Sequence, residues 1–278
     1  MEDRKEILTK YKKFYVFSLD DGVTQDIRFI SLLRRYNLKA TFNINTGLVG
    51  VDNTACLGGI KTPNGTQVTH KMVSEKDIRE GLYAGNEVAV HTYTHPSLVK
   101  EVTDENGITF QINADFENIK KWTGNIAVGM AYPGIGVSKK QIRTNTGYIE
   151  SVEFDFSNGV NISAEAVEII KKNTTIKYGR TIDESGNFEI PKDFFFWKPT
   201  CSFKNPKLMD YAKRFNELKG DEYKLFFVWG HTYEFDCANP LKPTVNDWDR
   251  IEEFLSYISS VKDALCVTCG EAYELFSK

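Results

Sequence analysis

Short apolar runs alternate with amphipathic stretches along nearly the whole chain. Residues 14–19 are apolar enough for a buried strand, 25–36 place Ile27, Ile30, Leu33 and Tyr36 on one helical face, and 40–44 return to strand character. Residues 47–69, rich in Gly, Asn and Thr, predict a long loop or hairpin excursion. Ser74 with Asp77 three positions on predicts an N-capped helix that stops near Gly85, and 87–90 is the next strand. The alternation continues with helix 114–122, strand 126–132, helix 138–144, strand 148–154 and helix 164–172. It ends with a short aromatic strand 194–197, helix 207–218, strand 224–229, helix 248–260 and strand 264–267. Repeated strand–helix units predict a parallel sheet with helices outside it. About seven such units without an internal linker predict an α/β chain folded as one (β/α)7-type barrel, closed or nearly closed.

In such a barrel the chemistry collects where strands end. Three predicted strand ends are polar: 14–19 enters Asp20-Asp21-Gly22, 87–90 enters His91-Thr92-Tyr93-Thr94-His95-Pro96, and 225–229 enters Gly230-His231. Tyr132 and Pro133 lie at a fourth strand end. Asp-Asp-Gly alone is ordinary turn chemistry. His91 and His95, however, are two of only 4 histidines, and four-residue spacing on one helical turn lets both imidazoles share an ion. One carboxylate and two imidazoles make an open three-ligand site for a divalent metal, with room for water. Asp21, His91 and His95 are the expected ligands, and Asp20 is the spare carboxylate that takes a proton. Two adjacent ionised carboxylates repel, so a cation is needed beside them. His231 reads either as a packed histidine or, at the same barrel mouth, as a general acid. His70 has no partner nearby in sequence and reads as a surface residue. Cys266 and Cys269 read as thiols at the ends of a strand, because no second Cys-x-x-Cys completes a four-cysteine zinc site.

Composition narrows the classes. With 278 residues, 41% hydrophobic and 26% charged, the chain is globular and long enough for one sizeable core. A net charge of −3 implies no basic groove for nucleic acid. No run approaches the length of a membrane span. The N-terminus is charged and its first apolar run is too short for a secretory leader, and an odd count of 5 cysteines favours a reducing compartment. The expectation is a cytoplasmic protein, or a secreted one if a leader has been removed.

The residues that carry chemistry resemble the motifs of the polysaccharide deacetylase family, the NodB-homology or carbohydrate esterase family 4 domain, from about residue 14 to about residue 276. Phe17-Ser18-Leu19-Asp20-Asp21-Gly22 resembles the first motif, in which the first Asp is the catalytic base and the second binds the metal. His91-Thr92-Tyr93-Thr94-His95 resembles the second, whose two His complete the metal triad. Gly230-His231 resembles the last, whose His is the general acid. The resemblance implies a distorted (β/α)7-type, NodB-like barrel, with residues 1–278 as a single catalytic domain. It implies a divalent metal cofactor, zinc by preference with cobalt, manganese, nickel or iron open, and removal of acetyl groups from N-acetylated amino-sugar oligomers or polymers.

Two motifs depart from the family pattern. The third, usually Arg-x-Pro-x-Gly, reads Ala131-Tyr132-Pro133-Gly134-Ile135-Gly136 after Met130, so Ala131 stands where an Arg steadies the base. Arg143 or Lys198 is the expected substitute. Tyr132, Pro133 and Gly134 inherit the substrate side, with the Gly134 backbone N–H as an oxyanion contact. The Asp-x-x-Asp-Trp motif is missing; Phe195-Phe196-Trp197-Lys198-Pro199-Thr200 takes its place, with Trp197 as a wall of the acyl pocket. Trp229, beside His231, completes the substrate-binding set. Other readings use the same residues: a deacylase of a non-sugar amide or O-acetyl ester, or a non-catalytic carbohydrate-binding relative, which the missing Arg favours. A non-haem iron oxygenase shares the two-His-one-carboxylate set but leaves Asp20 without a task. The sequence leaves the oligomeric state open.

Overall fold

The longest strand, β1 (Lys13–Asp21), is buried along its whole length and organises the sheet around it. A computed structural model describes residues 4–134 and 161–277; the helix expected at 138–144, the strand at 148–154 and Arg143 lie outside the described residues. The other described strands are β2 (Thr41–Ile44), β3 (Glu87–Val90), β4 (Gly129–Ala131), β5 (Tyr178–Arg180), β6 (Cys201–Ser202), β7 (Lys224–Gly230) and β8 (Ala264–Val267). The helices are α1 (Arg4–Lys10), α2 (Asp26–Arg35), α3 (Glu75–Arg79), α4 (Glu105–Thr123), α5 (Ala164–Asn173), α6 (Leu208–Glu217), α7 (Trp248–Ser259) and α8 (Cys269–Phe276).

Every ladder is parallel, in the order β5-β4-β3-β2-β1-β7-β6. One edge of β1 is shared: β8 pairs with Lys13 to Val16, and β2 takes over from Ser18 to Asp21. The sheet curls until its ends approach. There the Trp197 N–H donates to the Gly179 carbonyl at 3.1 Å, the Thr181 N–H donates to the Trp197 carbonyl at 3.0 Å, and the Thr200 N–H reaches Phe227 on β7 at 2.7 Å. The expected distorted (β/α) barrel is the architecture found.

The differences from expectation have local causes. The aromatic run near 194 is a 3-10 turn (Phe194–Phe196), not a strand, and the strand of that unit is β5 instead. The helix α4 begins at Glu105 rather than near 114, because the Asp104 carboxylate caps it by accepting from the Gly107 N–H at 2.9 Å. Ile27 is 47% exposed, since the buried face of α2 runs through Asp26, Phe29, Ile30 and Leu33. The Ser74–Asp77 capping box is present, although α3 closes at Arg79 and the chain reaches Gly85 through turns. Among the described residues no helix is long and apolar enough to cross a membrane.

Strand parity divides the interior in two. Tyr15, Phe17, Leu19, Phe42, Val88, Val90, Phe226 and Val228 pack under the helices. Phe14, Val16, Tyr178, Leu225 and Phe227 form a second cluster, on the inward face, together with Trp197 and with Cys269, Ala272 and Leu275 of α8. Period-two alternation carries that inward face on to Ser18 and Asp20, Asn43, Ala89 and His91, Arg180, Trp229 and His231. Helix α8 therefore floors the barrel. It enters where β8 stops and β2 begins, and the first residues of β2 and β3 satisfy its leading amides. The Cys269 N–H donates to Thr41 Oγ1 and the Gly270 N–H to Glu87 Oε2, both at 2.8 Å.

Two close approaches constrain β4 and β5. A Cβ on Gly129 would meet the Tyr178 ring at 2.2 Å, and one on Gly179 would meet the Tyr132 hydroxyl at 1.9 Å. Gly179→Ala should therefore destabilise the fold by roughly 1–3 kcal/mol through overpacking, read as a lower urea midpoint at unchanged m-value; an unchanged midpoint would refute the constraint.

Asp26, buried at the start of α2, accepts from Thr232 Oγ1 at 2.6 Å and from the Tyr83 hydroxyl at 2.8 Å. Burial pushes its carboxyl up to about 7, against those two hydrogen bonds and with help from the charges of Asp21 and Asp20. The folded protein then holds a proton that the unfolded chain has released, between the ordinary carboxylate pKa and about 7. This contribution to stability is present at low pH and is lost as pH rises through that window. The stability of Asp26→Asn relative to the parent should accordingly rise from pH 4 to pH 7, measured by denaturant titration at each pH. A pH-independent difference would be the contrary result.

Candidate active site

The end of β1 turns sharply. Asp21 has φ 78°, and Gly22 follows at φ 77° with Ile44 so close that a Cβ there would sit 2.8 Å from its Cγ2. Asp-Asp-Gly is thus a turn, as its composition suggests, and the turn aims two carboxylates in different directions. Asp21 Oδ1 lies 3.6 Å from His91 Nε2 and 3.5 Å from His95 Nε2. The ligand atoms of all three residues stand within 4.8 Å of one another.

These residues fit a divalent ion. Ligands at about 2.0–2.2 Å from a tetrahedral centre stand about 3.4 Å apart, close to the separations observed. His91 Nδ1 donates to the Ala131 carbonyl at 2.8 Å, which leaves Nε2 as the coordinating nitrogen. Asp115 on α4 anchors the same region: Oδ1 accepts from the Thr46 N–H at 2.7 Å and Oδ2 from the His91 N–H at 2.9 Å. Burial pushes the Asp115 carboxyl up to about 7, against those hydrogen bonds.

The segment from His91 to His95 is not the helical turn that the spacing suggested. Thr92 and His95 have φ 66° and 60°, so the chain doubles back twice, and that brings the imidazoles to 4.9 Å between ring centres. Asn45 Nδ2 holds the turn through the Thr92 carbonyl at 2.9 Å, and Gln111 accepts the N–H groups of Tyr93 at 2.8 Å and Thr94 at 2.9 Å. Among the described residues four non-glycines have positive φ, and all but Asn37 belong to the triad and its turn. Such backbone costs of order 1–3 kcal/mol per residue and persists where surrounding contacts over-determine it.

Asp20 points inward from β1. Asn43 Nδ2 donates to its Oδ1 at 2.9 Å and Arg180 Nη2 donates to its Oδ2, the ion pair being almost fully buried. Among the described residues that partner is Arg180 and not Lys198, which is half exposed and pairs with Asp183. Arg180 instead sits directly across the β4–β5 ladder from Ala131. The guanidinium thus comes from the strand beside Ala131, at the same register. Arg180 also lies 4.7 Å from the centre of the Trp229 ring.

His231, at the end of β7, brings Nε2 to 4.0 Å from Asp20 Oδ2 and 3.9 Å from Asp21 Oδ2. Its Nδ1 lies 3.5 Å from Glu234 Oε2, and the same oxygen accepts the His231 backbone N–H at 3.0 Å. Burial would lower the imidazole pKa, but Glu234 foremost, with Asp21 and Asp20, pushes it up to about 9. Asp21 behaves oppositely: burial opposes its charge, yet the His70 hydrogen bond and the surrounding imidazoles of His231, His70 and His95 hold it well below the usual carboxylate range.

His70, expected on the surface, is buried with Nε2 2.9 Å from Asp21 Oδ2. Tyr132 is fully buried, its hydroxyl donating to the Phe195 carbonyl at 2.8 Å; Pro133 is buried and Gly134 half-buried beside Ser97. Trp229 is half-buried at the mouth. Trp197 is 1% exposed and enclosed by Tyr178, Phe194 and Phe227, so its ring lies in the barrel interior. Sequence reasoning missed Asn43, Arg180, Glu234, Asp115 and His70. The signal for Arg180 was available in the inward parity of Tyr178-Gly179-Arg180, had that short strand been recognised.

Two solved structures share the fold at TM-scores above 0.5. A polysaccharide deacetylase of Mycobacterium smegmatis, described as putative, aligns over 96% of this chain and 91% of its own, with a TM-score of 0.55 at 12% identity. A 4-alpha-glucanotransferase from Thermococcus litoralis aligns over 96% of this chain and 41% of its own, with a TM-score of 0.54 at 12% identity, so the fold alone does not name the reaction. A family 4 acetyl xylan esterase from Clostridium thermocellum, solved with a cobalt ion, aligns over 95% and 91% with a TM-score of 0.47 at 14% identity. No curated protein sequence is significantly similar to the chain. The family model described as Polysaccharide deacetylase matches residues 8–148, the half that carries Asp20, Asp21, His91 and His95. By that match the chain belongs to the polysaccharide deacetylase family.

Proposed function

We propose that the protein is a divalent-metal-dependent hydrolase that removes acetyl groups from N-acetylated amino sugars in an oligomer or polymer. The observation that carries this reading is the oriented carboxylate of Asp20, held by Arg180 and Asn43 beside the Asp21, His91 and His95 cluster and opposite His231. Mere binding of a sugar has no use for that combination. The arginine whose absence at position 131 favoured a non-catalytic relative has a counterpart in Arg180.

One divalent ion held by Asp21, His91 and His95, zinc by preference, would supply Lewis acidity to acidify a water and polarise the acyl carbonyl. Asp20 accepts the proton of the attacking water. Arg180 and Asn43 hold its oxygens in place for that transfer. His231, whose imidazole pKa Glu234 foremost pushes up, gives its Nε2 proton to the departing amine, which would otherwise leave as a poor, basic group. The backbone N–H of Gly134 is the proposed oxyanion donor from the protein. The half-buried Trp229 shapes the substrate side, and the buried Tyr132, Pro133 and Trp197 contribute by packing.

Three outcomes follow for acetate release from N-acetylglucosamine oligomers. A chelator should abolish activity and a stoichiometric divalent ion should restore it; activity that survives exhaustive chelation would exclude the ion. Asp20→Asn and His231→Ala should each lose roughly 10²–10⁴-fold in kcat, and full turnover by either variant would remove that residue from the mechanism. Arg180→Lys should lose about 10- to 100-fold in kcat with little change in KM, because a point charge cannot reproduce the planar donors on a buried carboxylate. An unchanged kcat would make Arg180 structural only. Turnover confined to O-acetyl esters in the same assay would overturn the substrate class.

A further inference from the structure

The excursion between β2 and α3 delivers a group for which the three-ligand site has no assigned task. Its exit strand runs back antiparallel to the segment just past Asp21. The Thr24 N–H donates to the Lys71 carbonyl at 2.8 Å, the Val73 N–H to Gly22 at 2.9 Å, and Val23 bridges Met72. This register puts His70 directly against the Asp21 side chain. Its backbone is fixed by Thr54 Oγ1, which accepts the His70 N–H at 3.0 Å, and by the Asn53 N–H, which donates to the His70 carbonyl at 2.9 Å. Its ring stands edge-on to Tyr233, 4.9 Å between centres. Among the described residues the imidazole has one polar contact, Nε2 to Asp21 Oδ2.

The two oxygens of Asp21 therefore have different neighbours. Oδ1 faces His91 and His95, whereas Oδ2 is taken by His70. We propose that His70 is a positioning residue that locks Asp21 into one-oxygen coordination, and that it is not itself a ligand. Two consequences follow from the geometry. A carboxylate held by one oxygen keeps the coordination number low, which preserves positions for water and the acyl oxygen. With Oδ2 occupied, the Nε2 of His231, 3.9 Å from the same oxygen, is left for the leaving group instead of pairing with Asp21. The lock matters because Asp21 sits on strained backbone at φ 78°, and side-chain hydrogen bonds to the outer oxygen are what fix a ligating carboxylate.

The proposal rests on the metal reading of Asp21, His91 and His95, and its test separates the two. Co²⁺ is titrated into the metal-free full chain, the dissociation constant is measured, and the visible d–d spectrum is recorded for the parent, His70→Leu and His70→Gln. Leucine keeps the bulk and removes the donor; glutamine places an amide N–H where Nε2 stood. The expected result is a 10- to 100-fold weaker Co²⁺ affinity for His70→Leu, with His70→Gln within a few-fold of the parent and an unchanged spectrum. Should the leucine variant fail to fold by circular dichroism, His70→Ala carries the same comparison. Equal affinity in the donor-less variant overturns the proposal. So does a changed spectrum in His70→Gln, which would make the imidazole a ligand. A parent chain that takes up no Co²⁺ would instead refute the metal site itself.

Discussion

A carboxylate buried at the end of a parallel strand must have a fixed positive partner, and the arrangement of the inner barrel follows from supplying one to Asp20. Taking an unpaired carboxylate out of water costs several kcal/mol, so Asp20 needs a cation on the same inward face. Here Ala131 and Arg180 face each other across one ladder, and the long side chain spans the inward face to Asp20. The rest of the centre depends on that pair. Asn43 completes the second oxygen, Trp229 covers the guanidinium, and His231 approaches Asp20 from β7. The backbone that exchanges partners across β5 and Trp197 closes the curled sheet at the same level.

The tight geometry at the mouth has a second source. Parallel strands deliver side chains of fixed parity, but parity alone would send Asp20 and Asp21 to opposite faces of the sheet. The left-handed backbone at Asp21 breaks the alternation and turns its carboxylate toward the imidazoles, while Asp20 keeps the inward direction. Similar breaks at Thr92 and His95 bring the two histidines to the same point. The strain is concentrated in the residues that meet and is held there by Asn45, Gln111 and Asp115, none of which touches the centre of the cluster directly.

Much of this was legible along the chain. Apolar runs ending in Asp-Asp-Gly, His-x-x-x-His and Gly-His identified β1, β3 and β7 and the residues at their ends, because buried parallel strands are nearly continuous hydrophobic stretches. The parts that stayed hidden lacked such a run. Tyr178-Gly179-Arg180 is three residues long, and its glycine exists for the Tyr132 ring rather than for a turn. The neighbouring run of three phenylalanines looked more strand-like than the true strand. His70 could not be placed, because an irregular excursion carries no periodicity from which to extrapolate a contact almost fifty residues away. The helical expectation for 91–95 failed for a related reason: spacing suggests proximity, but two left-handed residues achieve it by another route.

Helix α8 fills the interior from beneath, with Thr41 and Glu87 binding its first amides and Phe14, Val16 and Phe227 packed around its apolar face. The last helix is therefore part of the barrel's own interior and not an appendage to it. Trimming it back would wet the rings of Phe14 and Phe227 and take from the buried Glu87 carboxylate the amide of Gly270.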